Sequence, residues 1–277
     1  MPPNDKIPRT LTIAGSDSGG GAGIEADLRT FALLHCFGMA AVTAVTAQDT
    51  REVYRSLPID GEMVSAQIQA VAEDIGIDAA KTGMLGTAET VDAVADTLAS
   101  SGPLPLVVDP VMVAKGGAQL LDPPAVARLR QRLLPLAEVV TPNLPEAEAL
   151  ANRPIQTDED RIDAAKEIAA YGAHYVVIKG GHASGERADD LVYHDGTITW
   201  LSAPRLGTRN THGTGCTFSA AITAGLAWGL SVEDALTAAK RYITAAIAQG
   251  LPLGHGHGPT NGWAGAAAWQ EGDTFHG

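Results

Sequence analysis

Thr10–Cys36, TLTIAGSDSGGGAGIEADLRTFALLHC, carries the reading that decides the fold. The run TLTIAG reads as a strand, a glycine-rich turn follows, and GIEADLRTFALLHC has apolar residues at helical spacing. The same strand–loop–helix unit recurs along the chain. GMAAVTAVTA, DAAKTG, PLVVDP, EVVTPN and HYVVIKGG read as strands. GEMVSAQIQAVAED, AETVDAVADTLAS and PAVARLRQRLL read as helices between them. DLVYHDGTITW is expected to be a hairpin turning at Asp195 and Gly196. GCTFSAAITAGLAWG and SVEDALTAAKRYITAAIAQG close the pattern as helices, the second opened by Ser231 with Asp234 three residues on.

Strands alternating with helices call for right-handed crossovers and a mainly parallel sheet covered on both faces. The expectation is one α/β domain over residues 1–277, with a core at about 10–259 and a loose tail at 260–277. Such sheets bind ligands beyond the carboxyl ends of their strands. Polar residues collect there: Ser16 and Asp17, Gln48 and Asp49, Lys81 and Thr82, Asp109, Asn143 and Glu146, and Lys179.

Composition narrows the function. Hydrophobic residues at 45% and charged residues at 18% fit a globular protein. A net charge of −13 argues against gripping nucleic acid, which needs clustered Lys and Arg. Cys36 and Cys216 lie far apart and form no CxxC pair, so a reduced, cytoplasmic setting is expected. MPPNDKIPRT has no apolar core of signal-peptide length, and no run is long enough to span a bilayer.

The glycine segments carry most of the chemistry. Gly21, Gly23 and Ala26 make a partial dinucleotide fingerprint, but GSDS separates it from the strand, so it is discounted. The segment reads equally as a helix-capping loop and as a loop over a small substrate, with Asp27 pointing into the pocket. GxxxxGK[ST] is absent. HGTGC, His212–Cys216, precedes a long apolar helix; unpaired N–H groups and the helix dipole suit it to a phosphoryl group. Cys216 reads first as a small buried hydrophobe and second as a thiol made acidic by the helix N-terminus, able to accept a proton.

Lys179 ends a buried strand before two glycines and is placed to reach a phosphate. Glu146 reads equally as a magnesium ligand and as a first-turn acid on its helix. Asp109 reads as a residue near metal or phosphates, or as a cap before Pro110. His255 and His257 have no further ligands nearby in sequence and are not expected to bind metal.

TIAGSDSGGGAGIEADLRTF, TAVTAQDT, KTGML, VVDPVM, TPNLPEAEAL, IKGGH and NTHGTGCT occur in one order from Leu11 to Pro259. Together they resemble the hydroxymethylpyrimidine/phosphomethylpyrimidine kinases of thiamine biosynthesis, within the ribokinase-like superfamily. The resemblance implies a three-layer α/β/α fold, ATP and Mg²⁺ as cofactors, and a homodimer. It also implies two phosphorylations: of 4-amino-5-hydroxymethyl-2-methylpyrimidine, then of its monophosphate to the diphosphate.

By the same resemblance, Asp27, Gln48, Met84 and Val111 match the pyrimidine pocket, with Gly15 beside them. Asp109 and Glu146 match positions near the metal. Lys179, Asn143, Thr211, Gly213, Thr214 and Gly215 match the nucleotide side, and Gly213–Cys216 the anion hole. Cys216 stands where many sugar kinases of the superfamily carry an aspartate base.

Two departures stand out. Ser18 replaces a proline usual in the first glycine loop, which is expected to loosen it, and Gly262 and Trp263 stand near where a histidine often follows GHGxGP. A pyridoxal or pyridoxine kinase of the same branch, and a ligand sensor without turnover, are the competing readings.

Overall fold

The computed structural model describes residues 7–113, 117–182 and 186–272. Their strands form one nine-stranded sheet in the order β3-β2-β1-β4-β5-β6-β7-β8-β9. The parallel strands are β1 (Arg9–Asp17), β2 (Phe37–Gln48), β4 (Ala79–Thr82), β5 (Leu106–Val108), β6 (Val139–Val140) and β7 (Tyr175–Ile178). Antiparallel strands flank them: β3 (Val53–Pro58) beside β2, and the hairpin β8 (Asp190–His194) and β9 (Thr197–Leu201) beside β7. The hairpin turns at Asp195 and Gly196, as expected, both with positive φ of 43° and 80°. This is the backbone that a tight two-residue turn requires.

Side-chain alternation builds the three layers. Along β5, Leu106 and Val108 face one core and Val107 the other; along β7, Val176 and Ile178 oppose Tyr175 and Val177. The first core is closed by α2 (Gly61–Asp74), α3 (Ala88–Ser100), α4 (Pro123–Arg128), α5 (Leu144–Ala151) and α6 (Asp158–Ala169). The second is closed by α1 (Gly23–Leu33), α7 (Thr214–Ala227) and α8 (Val232–Ala248). Ser231 caps α8 by accepting from the Asp234 amide, as its position predicts.

Three elements differ from expectation. Neither β3 nor α6 stands out as an element in the sequence reading. β3 is almost wholly exposed, so no apolar alternation marks it. The tail is not loose through its described part: α9 (Gly262–Gly272) packs on α8, with Trp269 buried against Tyr242 at a ring separation of 6.3 Å. Residues 273–277 lie outside the described residues. Among the described residues no helix is long and apolar enough to cross a membrane.

The chain runs from β1 to β2 on one side and returns to β4 on the other side of β1. That reversal opens a crevice at the carboxyl ends of the central strands.

Candidate active site

One side of the crevice is organised by Asp17 at the end of β1. Its Oδ1 accepts from the Gly19 amide at 2.8 Å, and its Oδ2 from Gly21 at 3.1 Å and Ala22 at 2.8 Å. His212 Nε2 lies 2.9 Å from the same Oδ2. Burial acts to raise the Asp17 pKa, but the His212 ring and the amides of Gly19 and Ala22 bring it below the ordinary carboxylate value. The loop therefore closes around a fixed negative charge.

Two glycines permit the approach of this loop to the HGTG turn. A Cβ on Gly213, whose φ is +74°, would stand 1.8 Å from the Gly21 carbonyl oxygen, and one on Gly21 would stand 2.2 Å from the His212 ring.

Gln48 ends β2, and Met84 follows β4. The space a Cβ would take on Gly15 is 3.1 Å from the Met84 sulfur, so Gly15 makes room for the thioether. The Ser18 hydroxyl donates to the Gln48 carbonyl at 2.8 Å and accepts from the Gln48 amide at 2.9 Å. Ser18 thus grips the backbone of Gln48; the loosening expected from the lost proline is not found. Val111 is half-buried just beyond Asp109, and its amide donates to the Asp109 carbonyl at 2.9 Å.

Asp27 departs from expectation. It does not point into the open crevice: it is fully buried, its Oδ1 2.8 Å from Lys81 Nζ and its Oδ2 2.6 Å from the Thr12 hydroxyl. Lys81 is fully buried too, inside β4 and not at the strand end. Burial disfavours its charged form, but Asp27, together with Cys216 and Asp109, outweighs this and raises the Lys81 pKa.

The other side is a more open cluster. Lys179 Nζ lies 3.0 Å from Asp109 Oδ1 and 3.9 Å from Glu146 Oε2, with 15% of its side chain exposed. Asp109 also receives the hydroxyls of Thr141 and Ser219, each at 3.3 Å. Glu146 belongs to a capping box with Asn143: the Asn143 amide reaches Glu146 Oε2 at 2.8 Å, and the Glu146 amide reaches Asn143 Oδ1 at 2.9 Å. The reading of Glu146 as a first-turn acid on its helix is the one this capping box bears out. Burial pushes its pKa up to about 7, against the pull of Lys179 and with help from Asp109.

The HGTG turn lies against this cluster. A Cβ on Gly215 would sit 3.3 Å from Lys179 Nζ and 3.5 Å from Asp109 Oδ2, so glycine keeps this approach to the lysine uncrowded. Gly213 is the N-cap of α7, and the Thr214 hydroxyl donates to the Thr211 carbonyl at 2.8 Å. The turn thus brings the N-terminus of α7 to the lysine, a place where the helix dipole suits an anion.

Cys216 follows in the first turn of α7, part-exposed. Its thiol is not acidic as the helix dipole suggests. Burial pushes it up to about 12; Lys81 opposes this, and Asp27 and Asp109 reinforce it.

The structure thus sets Gly15 against Met84 and Gln48 beside His212, and gathers Lys179, Asp109, Glu146, Asn143 and Gly215 into one cluster. The sequence reading gives no role to His212, and it misses the pairing of Lys81 with Asp27. A histidine directly before the GTG turn was the available sign of the first; nothing local marks the second.

The chain is similar to known proteins over most of its length. The phosphomethylpyrimidine kinase family model matches residues 17–261. A hydroxymethylpyrimidine/phosphomethylpyrimidine kinase of Haemophilus influenzae is 52% identical over 262 residues, covering 93% of this chain and 97% of that protein. A pyridoxine kinase of Bacillus subtilis is 46% identical over 256 residues, 91% of this chain and 94% of that protein. The crystal structure of an ADP complex of Bacillus subtilis pyridoxal kinase superposes with a TM-score of 0.88 at 45% identity, over 94% of this chain and 98% of that one. The chain belongs to the phosphomethylpyrimidine kinase family.

Proposed function

We propose that this protein transfers the γ-phosphoryl group of ATP to the hydroxymethyl group of 4-amino-5-hydroxymethyl-2-methylpyrimidine, and then phosphorylates the monophosphate to the diphosphate. The observation that carries the reading is Lys179 beside Gly215, with Asp109 and Glu146 around it, at the mouth of the α7 N-terminus. Such a cluster is suited to cradle phosphate charge.

Gln48 and Met84 bind the acceptor ring, the carboxamide meeting the aminopyrimidine edge as both donor and acceptor. Lys179 and the Gly213–Cys216 amides hold the transferring group and balance its charge. Positioning and charge supply most of the catalysis in phosphoryl transfer. Asn143, Thr211 and Thr214 line the nucleotide side.

Asp109 and Glu146 would hold Mg²⁺. Two buried carboxylates share one lysine there, and such hard oxygen donors suit an ion that takes one or two carboxylates plus phosphates. Bound there, Mg²⁺ supplies charge neutralisation on the phosphates. Cys216 rests as a thiol, so the acceptor hydroxyl is not deprotonated in advance; its proton leaves late and passes to the product phosphate, whose second pKa is near ~6.

A homodimer in the reducing cytoplasm completes the reading; light scattering that finds only monomer would remove the dimer.

The likeness to pyridoxine and pyridoxal kinases makes pyridoxal the second substrate to test. The test is ADP release with Mg-ATP against hydroxymethylpyrimidine, its monophosphate and pyridoxal. Turnover of the first two with pyridoxal much slower is expected. A preference for pyridoxal would transfer the assignment to that activity, and ligand binding without turnover would make the protein a sensor.

A further inference from the structure

Asp17 and His212 are 195 positions apart, both buried, and joined at 2.9 Å. Neither needs this bond to hold its backbone, and for the buried His212 ring it is a shorter contact than the one with Gln48. The Asp17 carboxylate already accepts three amides. The backbone of His212 is already tied at both ends, its amide to the Gly258 carbonyl at 3.0 Å and its carbonyl to the Thr260 amide at 3.3 Å. What the side-chain bond adds is a link between the acceptor-side loop and the HGTG turn. The ring rests on Gly21, where a Cβ would be 2.2 Å from it, and Gln48 Nε2 lies 3.4 Å from His212 Nε2.

We propose that Asp17 and His212 form a positioning pair that sets the spacing between the acceptor-binding loop and the anion turn during phosphoryl transfer. Asp17 stands two residues beyond Gly15, and His212 directly precedes Gly213. The bond therefore spans the gap across which the acceptor oxygen must meet the phosphorus. Reacting atoms must stand about 3–3.5 Å apart, and a misplacement of about 1 Å can cost about 10²-fold in rate. A hydrogen-bonded ring between two glycine-rich segments restrains them where the backbone alone would not. Neither residue touches the reacting atoms; both act through the loops they hold. The inference rests on the kinase reading above.

The test uses the whole protein and compares wild type with His212→Leu, His212→Gln and Asp17→Asn, each at saturating Mg-ATP and hydroxymethylpyrimidine. Wild-type turnover tests the kinase reading by itself; the variants test the pair. His212→Leu is expected to lower kcat by about 10- to 100-fold with both KM values changed less. His212→Gln keeps an N–H at a similar reach and is expected to recover most of the loss. Circular dichroism and Tm give the folded fraction, and kcat is expressed per folded enzyme. Should His212→Leu not fold, Asp17→Asn replaces it, and the same fall in kcat is expected. A kcat per folded enzyme within twofold of wild type in the variant read would overturn the proposal. So would a His212→Gln enzyme as slow as His212→Leu, because a filling role alone does not require the donor.

Discussion

The crevice contains two buried lysine–carboxylate arrangements of opposite character. Lys81 and Asp27 are sealed: both side chains are 0% exposed, one charge meets one charge, and Thr12 takes the remaining oxygen. Lys179 is open at its tip and faces two carboxylates at once, Asp109 at 3.0 Å and Glu146 at 3.9 Å. The sealed pair is complete. The open cluster sets two carboxylates against one lysine, and burial, reinforced by Asp109 and opposed by Lys179, pushes Glu146 up to about 7. An ion pair closed on itself fixes structure; one left unbalanced beside a helix N-terminus is prepared for ligands.

The largest expected effect on stability comes from splitting the sealed pair. Lys81→Met leaves Asp27 alone in the core and is expected to destabilise by roughly 3–5 kcal/mol, measured by urea unfolding. Asp27→Asn combined with Lys81→Met is expected to recover most of that, because no unpaired charge remains. It should leave the pyrimidine KM little changed; a large rise would return Asp27 to the pocket.

The open cluster has a pH signature. Between its ordinary value near 4.5 and its folded value of about 7, Glu146 holds more proton in the folded chain than in the unfolded one. Its contribution to stability is therefore full below 4.5 and is lost as pH rises through the folded pKa. Thermal unfolding between about pH 5 and pH 8 is expected to show a decline that Glu146→Gln flattens. Unchanged slopes would show the carboxyl to be ordinary.

Smaller effects follow at the edges of the two regions. A general base is worth about 10²–10⁴-fold, so a resting thiol predicts that Cys216→Ala costs less than about tenfold in kcat. Slow alkylation of Cys216 by iodoacetamide at neutral pH should accompany it. A loss of 10³ would make the thiol a base after all. Ser18→Ala removes two hydrogen bonds to the Gln48 backbone and is expected to raise the pyrimidine KM by about threefold.

Much of this was legible in the sequence. Parallel β/α units gather function at strand ends, so Asp17, Gln48, Asp109, Glu146 and Lys179 were visible as polar residues after apolar runs. The anion turn was visible because glycines before a long apolar helix have few other uses. Pairings were harder. Lys81 and Asp27 meet across 54 positions, and no local pattern records that meeting. At Cys216 the helix N-terminus can be read from sequence, whereas the depth of burial that pushes the thiol up cannot. Ser18 was read by what it replaced, and its hydroxyl found partners on a strand far along the chain.

The most direct test of the account is phosphorus NMR of ATP, Mg²⁺ and hydroxymethylpyrimidine with wild type and with Lys179→Met of equal Tm. Wild type is expected to show ADP with the pyrimidine monophosphate and then the diphosphate, and Lys179→Met to be slower by about 10³-fold, the scale of one preorganised charge on a transferring group. No pyrimidine phosphate from wild type, or equal rates from both proteins, would contradict it.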